Sequence, residues 1–277
     1  MREVLVVGAT GTVGSAVSEA LSAEGVAHRR ATRAPKTPGD IGFDWFDAAT
    51  WSAALAGVSA VYLIAPVGAA DPAVVVEPFL RTARAAGVRR VVVQSSSAVS
   101  SGDPGLGEID ARAREIIDEW TILRPSWFMQ NFTGSSSLAE GVRGGEIVTA
   151  TGDGPVAFID ARDIAAVGVR ALVDPTPHVG EYVLTGPRAL TYGQAAQVIS
   201  RKTGTSLVHR SVSADELAAL HIEHGMPADY APILAALDRD IAAGSENRVT
   251  AAVEELTGRA PRSFEEFVGE WFTVAAD

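Results

Sequence analysis

Short apolar runs alternate with helical apolar spacings through the first half of this 277-residue chain. The runs at Glu3–Val7, 27–32, 60–65, Arg90–Gln94 and 121–123 predict strands. Between them, apolar positions recurring every three or four residues predict helices over Thr12–Ala23, 48–55, 73–86 and 106–118. Such alternation means βαβ units, a parallel sheet and right-handed crossovers. Sheets of this kind bind ligands beyond the carboxyl ends of their strands. The positions of interest are therefore 8–13, Arg33, 44–46, Ala65 and Pro66, 95–97, and 124–130.

The alternation weakens after Thr133. A Gly/Ser-rich patch at 134–137 is followed by an expected short hairpin around 152–154 and a helix over 162–173. Asp160 and Asp163 stand where carboxylates cap that helix and favour its dipole. Residues 181–184 read as a returning strand of the main sheet, and 191–272 as a mostly helical lobe over the binding cleft. The expectation is a Rossmann-type α/β fold, with a doubly wound parallel sheet and a smaller, mostly helical C-terminal substrate lobe. Residues 1–132 would form the nucleotide-binding core and 133–277 the remainder, of which 160–187 returns to the core.

The first strand ends in Gly-Ala-Thr-Gly-Thr-Val-Gly, with glycines at Gly8, Gly11 and Gly14 ahead of a helix. Strand, tight turn and helix N-terminus bring backbone N–H groups onto one spot, an arrangement suited to a pyrophosphate. Gly8 permits the turn, Gly11 lets the phosphates approach, and Gly14 lets the helix pack on the strand. The spacing is G-x-x-G-x-x-G, not the G-x-G-x-x-G of the common dehydrogenase fingerprint.

The second strand changes the choice of dinucleotide. An NAD site usually ends this strand with an acid that binds the ribose hydroxyls. Here the segment has no acid and carries Arg29, Arg30, Arg33 and Lys36. A guanidinium at this place can grip a 2′-phosphate through two charge-assisted hydrogen bonds. Arg33 is best placed, directly after the apolar stretch and before a proline. NADP(H) is expected over NAD(H), the alternative being a solvated basic loop.

Composition excludes other classes. The chain has no cysteine, hence no disulfide, thiolate metal site or cysteine nucleophile. The His221/His224 pair lacks the third ligand of a metal site and reads as surface histidines, so no metal is expected. A net charge of -11 argues against general binding to nucleic acid or anionic membranes. No window resembles a membrane span, and the early first strand reads as leaving no room for a signal peptide. The expectation is a cytoplasmic monomer or homodimer acting on a small molecule.

The segments 8–14, 43–45 with 49–51, 61–66, 123–132, 160–165 and 182–187 resemble the NmrA-like atypical short-chain dehydrogenases. They are most similar to the branch that contains the ergot-alkaloid reductases of cyclic iminium substrates. The resemblance implies pyrophosphate contacts from Gly8, Thr10, Gly11, Thr12 and Val13, and 2′-phosphate contact from Arg33. It implies adenine contact from Asp44 and Trp45, though Trp45 and Trp51 also fit an aromatic core. Ala65 and Pro66 would flank the ribose and nicotinamide, and Ser95 and Pro125 would complete the cofactor set. Ser96, Trp127, Phe128 and Gln130 would line the substrate pocket. Ser97 falls where extended members place a substrate-binding serine; a strand-end turn serine is the alternative.

The usual Tyr-x-x-x-Lys dyad is absent. The only lysines are Lys36 and Lys202, and the residues four beyond Tyr62, Tyr182, Tyr192 and Tyr230 are Pro66, Gly186, Ala196 and Leu234. Reducing a ketone develops an alkoxide that needs a proton donor. An iminium carbon already carries positive charge, so hydride transfer needs none on nitrogen. The sequence therefore points to reduction of C=N or activated C=C, with C=O a further option. The alternative is a non-catalytic NADP(H)-binding redox sensor, as the name-giving member of the family is.

Overall fold

The computed structural model describes residues 3–66, 69 and 71–272. Its first elements are β1 (Glu3–Val7), α1 (Thr12–Ala23), β2 (His28–Thr32), β3 (Asp40–Gly42), α2 (Trp51–Leu55), β4 (Val58–Ile64), α3 (Ala73–Ala85), β5 (Arg90–Gln94), α4 (Leu106–Ile116) and β6 (Glu119–Pro125). There follow α5 (Ser137–Gly144), β7 (Glu146–Thr149), α6 (Ala161–Val173), β8 (Gly180–Leu184), α7 (Tyr192–Thr203), β9 (Val208–Ser211), α8 (Ala214–Glu223), α9 (Ala231–Ala242), α10 (Ala252–Thr257) and α11 (Phe264–Trp271). One compact unit comprises Met1–Pro125, Ala161–Leu184 and Ala252–Arg259; the other comprises Ser126–Asp160, Thr185–Ala251 and Ala260–Asp277.

The first unit is a Rossmann-type layer. Seven strands pair in the order β3-β2-β1-β4-β5-β6-β8, each pair parallel. Val4–Val7 and Val91–Val93 are buried throughout, as a sheet covered on both faces requires. Leu5, Val7, Leu63 and Val93 share one core with Phe79 and Leu80 of α3 and Ile109 of α4. On the opposite face α1 lies beside α6. Gly168 lets α6 ride against the ring of Tyr62, where a β-carbon would come within 2.7 Å of Cε2. Strand order reverses between β1 and β4, so the loops that follow them part and leave the crevice in which such sheets hold ligands.

Residues 181–184 do return to this sheet, as the outer strand β8 beside β6. The short edge strand β3 was not expected, because it has one strongly apolar residue. It is held by pairing with β2.

The second unit is built on an aromatic core. Phe132 meets Phe158 edge-on at 5.1 Å and Phe264 at 4.9 Å, while Phe158 meets Tyr192 at 5.2 Å. A smaller cluster joins α8 and α9 through Leu217, Ala218, Ala231 and Ala235. The strands β7 and β9 form a two-stranded parallel sheet. The hairpin expected around 152–154 is replaced by a turn, closed by the Gly154 N–H on the Thr151 carbonyl at 2.9 Å. Beyond it Val156 pairs with distant Leu190.

Candidate dinucleotide site and lobe cavity

The glycine turn begins where β1 ends. Gly8 has φ of +80°, a left-handed conformation that favours glycine. Its carbonyl accepts the Gly11 N–H at 3.0 Å, and Gly11 accepts from Ser15 at 2.9 Å. Gly11 is the N-cap of α1 and supplies no side-chain cap, so the first-turn N–H groups are left for a ligand. A β-carbon at Gly11 would meet only the Gly8 oxygen at 3.4 Å, leaving open space in front of the turn. Thr10, Gly11 and Thr12 are exposed there, whereas Val13 is buried.

The arginines of the second strand separate cleanly. Arg29 donates to both carboxylate oxygens of Glu3, at 2.9 and 2.7 Å. Arg30 donates to Asp40 at 2.8 Å. Arg33 is exposed and makes no ion pair or side-chain hydrogen bond among the described residues. Asp40 clips the same loop by accepting the backbone N–H groups of Lys36 at 2.9 Å and Thr37 at 2.8 Å. These bonds, with help from Arg30, hold its carboxyl far below the usual range.

Beyond β3, Asp44 ties its own loop. Its carboxylate accepts the Phe46 N–H at 2.9 Å, and its carbonyl accepts Trp51 Nε1 at 2.9 Å. Trp51 is thereby a core residue. Trp45 is half-buried, edge-on to Phe43 and to Phe79 at 5.1 Å in each case. Ala65 is buried at the end of β4, and Pro66 is half-buried beside it.

The turn after β5 rests on buried charge. Ser95 Oγ, expected to complete the cofactor set, donates inward to Asp110 at 2.9 Å. Asp110 is fully buried and lies 2.7 Å from Arg124, which also donates to Glu181 at 2.8 Å. Arg124 further donates to the carbonyl of Val99. The guanidinium thus fixes the loop that carries Ser96 and Ser97. Burial raises the pKa of Asp110, opposed by Ser95 and Arg124. Ser97 is half-buried, with its N–H donated to the Pro125 carbonyl at 3.1 Å.

The second unit carries Trp127, Phe128 and Gln130. Gln130 Nε2 donates to buried Asp160 at 3.0 Å, and Phe128 pairs with Ile159. Trp127 lines a cavity of about 650 Å³, together with Tyr192, leucines of α8 and α9, and Asp238. His221, half-buried, and His224, exposed as a surface histidine, stand at its edge. Neither Phe128 nor Gln130 lines it. Sequence reasoning passed over Asp238, which α9 carries two residues before Asp240. Among the described residues no cluster of histidine and carboxylate groups could hold a metal ion.

The family model described as "NmrA-like family" matches residues 1–268. The chain belongs to that family. It is 44% identical over 267 residues to the uncharacterized oxidoreductase YesF of Bacillus subtilis, covering 95% of this chain and 93% of the relative. It is 39% identical to agroclavine dehydrogenase of Claviceps fusiformis over 237 residues, 82% of each chain. Among solved structures, the Citrobacter sp. triphenylmethane reductase complexed with NADP(H) superposes with a TM-score of 0.74. It covers 96% of this chain and 98% of its own at 22% identity, a likeness of fold.

Proposed function

We propose that this NmrA-like chain is an NADP(H)-dependent reductase of a small apolar or aromatic molecule, acting on C=N or activated C=C bonds. The observation that carries the cofactor assignment is the contrast among three arginines. Arg29 and Arg30 are bound to Glu3 and Asp40, while Arg33, just after β2, has no ion-pair or hydrogen-bond partner among the described residues. The relatives named dehydrogenase and oxidoreductase support the class of reaction.

NADPH, when bound, supplies the hydride. The first-turn N–H groups of α1 would hold its pyrophosphate, and Arg33 its 2′-phosphate. Ser97 would orient the acceptor by a hydrogen bond. Tyr62 and Tyr192 are poorly suited to general acid work. Tyr62 is fully buried, with its hydroxyl on Gln94 at 3.0 Å, and burial drives its pKa upward. Tyr192 is buried in the second unit and shifted the same way. A substrate that already carries positive charge, or one whose product anion is delocalised, suits such a site.

The test is steady-state NADPH oxidation across cyclic iminium ions, enones and ketones. The reading requires faster turnover of the first two classes. A strong preference for plain ketones would reveal a proton donor and overturn it. Tight cofactor binding without turnover on any class would leave the protein a redox sensor.

A further inference from the structure

The cavity of the second unit is too large and too acidic for a packing defect. Its volume of about 650 Å³ falls within the roughly 300–1,000 Å³ of small-molecule sites. Leucines of α8 and α9 make its walls apolar, and the rings of Trp127 and Tyr192 line the same space. Three carboxylates, Glu140, Glu146 and Asp238, line it against one guanidinium, Arg210. Arg210 is already held by Glu146 at 3.1 Å. His221 offers little compensating charge near neutrality, because partial burial and neighbouring His224 both lower its pKa.

Asp238 stands apart from the two glutamates. It is half-buried on α9, and Oδ2 accepts the backbone N–H of Ala150 at 2.8 Å. No arginine, lysine or histidine pairs with it among the described residues. A carboxylate ionised in apolar surroundings is unfavourable without an opposing charge. The cavity is where such a charge can enter.

We infer that this cavity takes an organic cation on an aromatic or alicyclic body, and that Asp238 is the specificity-determining residue that selects for its charge. Trp127 and Tyr192 add cation–π attraction for the same ligand. Neutral molecules of equal shape leave Asp238 uncompensated and bind less well. The inference concerns the cavity of the second unit by itself and goes beyond the reductase reading.

The experiment titrates the full chain, without cofactor, with N-methylisoquinolinium and with neutral isoquinoline at pH 8, by calorimetry. The cation is expected to bind at least tenfold more tightly. Asp238→Asn keeps an acceptor for the Ala150 N–H and should abolish that preference, leaving isoquinoline affinity within about twofold. Asp238→Glu should keep part of it. Equal binding of the two probes by the unmutated chain overturns the inference without any variant. A preference that survives in Asp238→Asn overturns it as well. NADPH titration of the same preparations reads the glycine turn separately, so failure here is distinguishable from failure of the cofactor assignment.

Discussion

Gly14 packs against Gly8 so closely that a β-carbon at position 14 would overlap the Gly8 carbonyl oxygen and lie 2.7 Å from its carbonyl carbon. Gly11, three residues earlier, has only a 3.4 Å neighbour. The two glycines therefore fail differently. Gly14→Ala should lower unfolding free energy by about 3 kcal/mol, as overpacking against rigid backbone does. Gly11→Val should remain folded and lose NADPH binding, its side chain standing where the pyrophosphate belongs. Denaturant unfolding and calorimetry on both variants check the contrast; normal NADPH binding by Gly11→Val would place the cofactor elsewhere.

Arg33→Ala should lose most of the preference for NADPH over NADH, itself expected to be tenfold or more. A guanidinium–phosphate contact contributes roughly 1.5–3 kcal/mol, about 10- to 150-fold in affinity. Arg29→Ala and Arg30→Ala should keep the preference, because those side chains are bound to Glu3 and Asp40. Dissociation constants for both cofactors across the three variants settle the matter.

Asp40 gives a pH dependence of known sign. The Lys36 and Thr37 N–H groups depress its folded pKa below the ordinary value of 3.8. A depressed carboxylate stabilises the fold fully above the unfolded value, and the contribution is lost as pH falls below it. Asp40→Asn should therefore lower the melting temperature at pH 7, with the difference from the unmutated chain shrinking below about pH 4. A difference that is the same at pH 7 and pH 2.5 would refute the loop clip.

The buried pair Asp110–Arg124 makes the third strand-end loop expensive to disturb. Arg124→Met leaves Asp110 buried beside Ser95 without its nearest counter-charge, at a cost of about 3–5 kcal/mol. The double change Asp110→Leu with Arg124→Met should recover much of that loss, as apolar replacement of a buried pair often does. Unfolding curves of the single and double variants measure it.

The strands β1 and β5 were legible because they are buried on both faces. Glu3–Val7, Thr12–Ala23 and Arg90–Gln94 lie at their expected bounds, since continuous apolar runs and helical spacing state them directly. Two strands that the sequence did not announce lack that signal. Asp40–Gly42 is a polar edge strand, and Val208–Ser211 is mostly exposed, so only pairing with distant partners defines them. Trp127 was named from its motif, but the cavity it lines was not legible. Its walls come from residues between 127 and 238, brought together by folding rather than by spacing. The inward turn of Ser95 was hidden for a related reason, because its partner Asp110 sits on a separate helix.

The proposed reaction is hydride transfer from NADPH to an electron-poor carbon without a protein proton donor. The most direct measurement is a single turnover with NADPH deuterated at the transferring position, offered a cyclic iminium ion and the ketone of the same ring skeleton. Deuterium should appear at the former C=N carbon, at a rate at least tenfold above that for the ketone. Ser97→Ala should slow the transfer about tenfold, the loss of one hydrogen bond of roughly 1 kcal/mol or slightly more. Faster transfer to the ketone, or no deuterium in either product while NADPH is bound, would rule that reaction out.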